Sequence, residues 1–269
     1  MTVKARYAKE GYLSPVPALT PAEAAAFRSK LEAFEEAEPE RAPAILRHKG
    51  HVVLAWLSEL VRHPRVLDPV AEILGPDLLC WTSNAFIKKP GDGGFVSWHQ
   101  DATYWGLSSD KVVTAWIALS PSTPDNGCMR VVPGSHTAEQ MPHKDTFDAR
   151  NLLTRGQEVA VEVDEGEAVD LVLEAGQMSL HHVLIVHGSA PAARGDRRIG
   201  IAARYVPTSI RQTSGMRDTA TLVRGEDRYG HFDLEPAPEA DLDAAAMAAY
   251  DEVLAASKAL LYRETDGES

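Results

Sequence analysis

Cysteine is scarce in this sequence: Cys80 and Cys128 are the only two in 269 residues. Two thiols with no pairing pattern make no disulfide framework, and a reducing, cytoplasmic compartment is the expectation. Long apolar runs are missing as well. Nothing approaches the roughly 20 residues needed to cross a bilayer, and residues 1–13 are polar and charged, unlike a secretory signal. No membrane partner is therefore expected. Basic charge is in deficit, with 27 Lys and Arg against 39 Asp and Glu and a formal net charge of −12. Nucleic acid is thereby excluded as an expected partner, because phosphate backbones require stripes of Lys and Arg. Internal repeats and low-complexity tracts are lacking too, which argues against a solenoid or a disordered linker.

What is present reads as a single globular domain over 1–269, with 44% apolar and 25% charged residues. Oligomeric state stays open. Thr20, Pro21 and Glu23 form a capping-box pattern that predicts a helix through Phe27, Leu31 and Phe34. Further helices are expected over 52–61 and 64–74, the latter closed by Gly75 and Pro76. From Leu78 the rhythm becomes that of short strands: 78–87, 95–99, 112–119, 129–132, 158–163, 178–187 and 198–206. Clusters of Gly and Pro separate them, the pattern of a sandwich or barrel. Residues 208–238 read as a long irregular segment, and an Ala-rich helix is expected over 239–261.

The chemistry begins at His99-Gln100-Asp101. On a strand, residues i and i+2 point to one face, about 7 Å apart along the chain, so an imidazole and a carboxylate can reach one cation. Two histidines and one carboxylate form the facial triad of non-haem Fe(II) oxygenases, with the remaining positions open. His187, ending an apolar stretch just before Gly188, is placed to be the third ligand. Arg198 follows eleven residues later, on a strand expected to return antiparallel. Parity sets Arg198, Gly200 and Ala202 on one face and Arg197, Ile199 and Ile201 on the other. A fixed guanidinium is suited to the far carboxylate of a dicarboxylate. Ser189 can add a hydroxyl, and Arg197 stands as a competing candidate.

With these residues in place, the sequence resembles the phytanoyl-CoA dioxygenase-like Fe(II)/2-oxoglutarate oxygenases. The resemblance also rests on Trp116-Ile117-Ala118-Leu119, Asn126-Gly127-Cys128-Met129, Pro133-Gly134-Ser135-His136 and His187-Gly188-Ser189. It implies a mainly β fold with α, a double-stranded β-helix (jelly roll, cupin-like) with an N-terminal helical layer and a C-terminal helix. It further implies Fe(II) ligation by His99, Asp101 and His187, and 2-oxoglutarate binding by Arg198 and Ser189, with Trp116 lining that pocket. Ser83 or Asn84 falls where the family places a further polar contact to the co-substrate. One departure is the replacement of the family's usual Asn after His-Gly-Ser within Ala190-Pro191-Ala192-Ala193. Asp101 fills the position that halogenating relatives vacate, so the expected reaction with O2 is hydroxylation, releasing succinate and CO2.

For a small-molecule substrate the candidates are Tyr104, Trp105, His143, His182 and Arg155, with the 208–232 segment. His181 shares parity with His187 only if the intervening strand is regular. The runs 151–157, 176–182 and 221–225 look like a bacterial branch that includes aminophosphonate hydroxylases, in which Arg155 or Arg224 would meet an anionic group. An acyl-CoA or a natural-product intermediate is the alternative substrate. The alternative class is a cupin-type isomerase or metal-binding protein without oxygenase activity, which has no reason to hold Arg198.

Overall fold

Thr20 marks the point where an extended segment becomes a helix. Its hydroxyl accepts from the Glu23 N–H (3.2 Å), and the Glu23 carboxylate accepts from the Thr20 N–H (2.6 Å). Two orphan donors are thus satisfied reciprocally. The helix so launched buries Ala24, Phe27, Leu31 and Phe34, which lie on one face at helical spacing.

The computed structural model describes residues 2–146, 148, 150–153, 157–160 and 163–261. Among these the helices are α1 (Val3–Glu10), α2 (Pro21–Ala37), α3 (Ala42–Arg47), α4 (Ala55–Val61), α5 (Pro64–Leu74) and α6 (Ala244–Leu261). No described helix is long and apolar enough to cross a membrane. The strands are β1 (Tyr12–Pro17), β2 (Leu78–Lys88), β3 (Val96–His99), β4 (Val113–Ala118), β5 (Arg130–Val131), β6 (His143–Asp145), β7 (Gln157–Val159), β8 (Val169–Asp170), β9 (Gln177–His182), β10 (His187–Ser189), β11 (Arg198–Pro207), β12 (Asp218–Arg224) and β13 (Phe232–Leu234).

A seven-stranded sheet in the order β1-β9-β4-β11-β2-β12-β13 faces a four-stranded sheet in the order β3-β10-β5-β8. This is the jelly roll that the sequence predicts. Along β11 the alternation separates two environments. Ile199, Ile201, Ala203 and Tyr205 join the helices in the main core, and the Tyr205 hydroxyl donates to the Val61 carbonyl of α4 (2.8 Å). Arg198, Ala202 and Arg204 turn the other way, into the cleft between the sheets. Every residue of β4 is buried, as befits a strand covered on both faces.

Three expectations are corrected. The stretch 178–187 is two strands, because His182 accepts from the Leu184 N–H (3.1 Å) and turns the chain. β9 stays in the large sheet and β10 enters the small one. The segment 208–238 is not irregular: β12 pairs antiparallel with β2, and β13 pairs parallel with β12. A buried network holds it, in which Lys49 Nζ meets Glu235 Oε1 (2.7 Å) and Glu235 also accepts from the Thr219 and Thr221 hydroxyls. The N-terminal residues supply α1 and β1, and β1 pairs with the edge of β9. The last helix starts at Ala244, where the Asp243 carboxylate accepts from the Ala246 N–H (2.8 Å).

Candidate metal and co-substrate site

His99 and His187 are register partners across β3 and β10, which sets their rings 4.1 Å apart, centroid to centroid. Asp101 lies just beyond the end of β3, at the start of a 3-10 turn. Its backbone N–H donates to Val183 O (2.9 Å). The i, i+2 relation on one strand is therefore replaced by a strand end and a turn, with the same convergence. One ligand atom from each of His99, Asp101 and His187 lies within 4.8 Å of the others, and all three residues are buried. Gln100, between the first two, is buried as well. It donates to Leu184 O (2.8 Å) and accepts from the Met141 N–H (2.7 Å), tying the segment to the turn before His187.

Hydrogen bonds set the imidazole tautomers. His99 Nδ1 lies 2.9 Å from Ser97 O and His187 Nδ1 lies 3.0 Å from Ile185 O. A carbonyl only accepts, so each Nδ1 carries the proton and each Nε2 presents a lone pair. Burial holds His187 well below the usual imidazole pKa, so it stays neutral. For Asp101 burial opposes ionisation, but the charge of Arg204 and its contacts to His99 and His187 outweigh it, and its pKa falls. Two imidazoles and one carboxylate are the donor set that suits non-haem iron.

The far end of the cleft is cationic. Arg198 and Lys88 are register partners on β11 and β2, with relative exposures of 2% and 0%. The Arg198 guanidinium donates to Gly127 O and lies over the Trp116 ring (5.2 Å), while its Nε has no hydrogen-bond partner. Lys88 Nζ donates to Ser189 Oγ (2.6 Å) and Ala190 O (2.6 Å). Burial, then the charge of Arg198, pushes Lys88 down to about 6, and burial brings Arg198 to about 10. Among the described residues no carboxylate pairs with either cation. Buried charge without a counter-ion is costly, and a ligand carboxylate is the missing complement. Gly200 makes room for Trp116, because a Cβ there would fall 1.9 Å from the ring.

Trp116, Ser189 and Arg198 line this cleft together with the three convergent ligands. Arg197 points away and pairs with Glu35 on α2 (2.8 Å). Ser83 is not brought to the site: its hydroxyl meets His51 (2.7 Å) beneath the helical layer. Asn84 is occupied by Arg47 O and Arg204. His143 has a structural place, accepting from the Gln100 N–H (3.0 Å) and donating to Met141 O (2.8 Å). His182 packs against Tyr7 and His136, outside the cleft. Trp105 packs tilted against Trp81 and under Arg204 rather than lining the metal pocket. The Tyr104 side chain and all of Arg155 lie outside the described residues, and Arg224 pairs at the surface with Asp68 (2.7 Å).

Lys88, Thr114, His181 and Arg204 belong to the site region and escape motif reading. Arg204 was within reach of parity, six residues past Arg198. Lys88 required the β2–β11 register. His181 does enter the cleft, 4.9 Å from the His187 ring. Its Nδ1 is buried without a hydrogen-bond partner.

Residues 7–200 match the family model "Phytanoyl-CoA dioxygenase (PhyH)". A probable alpha-ketoglutarate-dependent hypophosphite dioxygenase of Stutzerimonas stutzeri is 30% identical over 63% of this chain and 61% of its own length. The human peroxisomal phytanoyl-CoA dioxygenase is 32% identical over 49% of this chain and 41% of its own. The matched region thus spans about two fifths to three fifths of these relatives. Among solved structures, the apo form of the non-heme monooxygenase ThoJ superposes with a TM-score of 0.89 at 35% identity, covering 99% of this chain and 100% of that one. CytC3 with Fe(II) and alpha-ketoglutarate gives 0.67 at 25% identity, covering 89% and 93%. With its motifs, its jelly roll and most of its length matched, the chain belongs to the phytanoyl-CoA dioxygenase family of non-haem iron, 2-oxoglutarate-dependent oxygenases.

Proposed function

We propose that this chain holds Fe(II) through His99, Asp101 and His187, binds 2-oxoglutarate, and hydroxylates an unactivated C–H bond of a small polar molecule. The observation that carries the reading is the adjacency of two features. A buried group of two imidazoles and one carboxylate opens onto a cleft whose far end holds Arg198 and, behind Ser189, Lys88, two basic side chains that no described carboxylate pairs with. A metal-binding or isomerase cupin has no use for the second feature.

When bound, Fe(II) and 2-oxoglutarate supply the oxidising power that places one oxygen atom of O2 into a C–H bond, with release of succinate and CO2. The protein's own residues do the positioning. Arg198 receives the distal carboxylate with its fork of donors. Ser189, backed by Lys88, forms the other wall of that end, and Trp116 lies against the guanidinium. The Nδ1 bonds of His99 and His187 keep their Nε2 atoms aimed into the cleft, a support that raises ligand basicity. Buried walls exclude water from the reacting carbon.

Of the two anchors expected for an aminophosphonate, Arg224 is instead paired with Asp68 at the surface, and Arg155 lies outside the described residues. Among the described residues that line the cleft, His181 is a polar side chain without a role in holding metal or co-substrate.

Anaerobic addition of 2-oxoglutarate to the Fe(II) protein tests the proposal. A weak visible charge-transfer band is expected, and it is lost in Asp101→Ala. Its persistence in that variant would sink the ligand assignment. A panel of amino acids, phosphonates, acyl-CoAs and quaternary amines, read by succinate release, then identifies the substrate class.

A further inference from the structure

The two oxygens of Asp101 meet different surroundings. Oδ1 lies 3.3 Å from His99 Nε2, on the side where the ligand atoms converge. Oδ2 faces the large sheet, 3.5 Å from Arg204 Nε and 3.5 Å from Thr114 Oγ1. Arg204 and Thr114 are themselves register partners across β11 and β4, so the two donors form one rigid platform beneath the carboxylate.

The guanidinium is held from its other sides as well. Its Nη1 donates to Asn84 Oδ1, and it lies 5.0 Å from the centroid of Trp105, four residues beyond Asp101 on the same turn. Arg204 is 7% exposed, and its Nε has no hydrogen bond of its own. A closure of a few tenths of an ångström toward Oδ2 would complete a charge-assisted bond.

We propose that Arg204 is a positioning residue for the metal site. It retains Asp101 Oδ2, so that the carboxylate meets the metal through Oδ1 alone and leaves the remaining corners to co-substrate and O2. The inference rests on the ligand assignment made under Proposed function. It also removes Arg204 from the cations available to a substrate anion.

The test uses Co(II) as probe with the full-length protein, first without 2-oxoglutarate. Arg204→Gln is expected to weaken Co(II) binding about 10- to 100-fold, the size of effect usual for partners of metal ligands. Its d–d absorption should change in intensity, as a carboxylate that swings to two-oxygen contact alters the coordination number. Arg204→Lys, which restores charge without the fork, should recover part of the affinity but not the wild-type spectrum. The affinity for 2-oxoglutarate at saturating metal should stay near wild type in both.

A folded Arg204→Gln protein that binds Co(II) within twofold of wild type, with an unaltered spectrum, overturns the proposal. So does a loss confined to 2-oxoglutarate affinity, which would make Arg204 a co-substrate anchor. If Arg204→Gln fails to fold, Asn84→Ala decides. It unpins the guanidinium without deleting it and should weaken Co(II) more than about threefold; no change there counts against the proposal. Asp101→Ala separates the two claims: if it binds Co(II) as well as wild type does, the ligand reading itself is wrong.

Discussion

Lys88 and Arg198 stand opposite each other on β2 and β11, both buried, and no described carboxylate lies between them. A protein that desolvates a guanidinium beside an amine in this way is completed by an anion, which favours the charged form of both. Arg198→Met is therefore expected to weaken 2-oxoglutarate about 100-fold and Lys88→Met about 10-fold, the range for charged hydrogen bonds. Metal affinity should be unaltered in both. Calorimetric titration of the metal-loaded protein measures the first quantity and Co(II) titration the second.

The same pair gives a pH dependence. Burial and Arg198 bring Lys88 down to about 6, so above that pH the free protein holds it neutral. A bound carboxylate favours the ammonium and raises its pKa, so binding takes up a proton. Affinity for 2-oxoglutarate should then fall as pH rises from 6 to 8, by up to about tenfold per unit. Lys88→Met should flatten the slope, and a slope that survives the substitution assigns the proton elsewhere.

Gly200 is a steric prediction. A Cβ at this position would fall 1.9 Å from Trp116, so the ring, packed against Arg198, must shift toward the cleft it lines. Gly200→Ala should cost about 1–3 kcal/mol as overpacking, measured by denaturant unfolding. It should also weaken 2-oxoglutarate, because the displaced ring tilts the guanidinium.

Away from the cleft, Glu235 is predicted to be the most sensitive carboxylate for stability. It is 6% exposed, with Lys49 at 2.7 Å and His51 at 3.4 Å. Burial opposes its ionisation, but the Lys49 charge and His51 outweigh this and its pKa falls below the ordinary Glu value. A depressed carboxylate contributes stability that is present above its unfolded pKa and lost as pH falls through the folded one. Glu235→Gln should cost about 3–5 kcal/mol at neutral pH, because it leaves Lys49 unpaired. It should also remove part of the acid-induced loss seen in wild type.

The convergence of His99, Asp101 and His187 was legible because an H-x-D beside a strand end and a histidine before a glycine turn are local patterns. Arg198 was legible through parity, which needs only one strand. What escaped depends on which strands become neighbours. Lys88 reads as one of two lysines before a proline, and only its pairing with Arg198 gives it meaning. Ser83 pairs with Ala203 and shares the parity of Ala85 and Ile87, which face the main core. Its hydroxyl therefore serves His51 on the helical side. The strands β12 and β13 were hidden by the glycines and charges around them. They exist because β2 offers a free edge and Lys49 reaches across to Glu235, both long-range conditions.

The metal ligands belong to the small sheet and its turn, whereas Arg198, Lys88 and Trp116 belong to the large one. The site is thus divided between two halves that meet only when the sandwich is shut. A chain with its sheets parted could retain metal on one half and yet have no grip on the co-substrate's distal carboxylate. On the proposed function the division is an interlock: metal and co-substrate would be held together only where the two sheets are closed on each other.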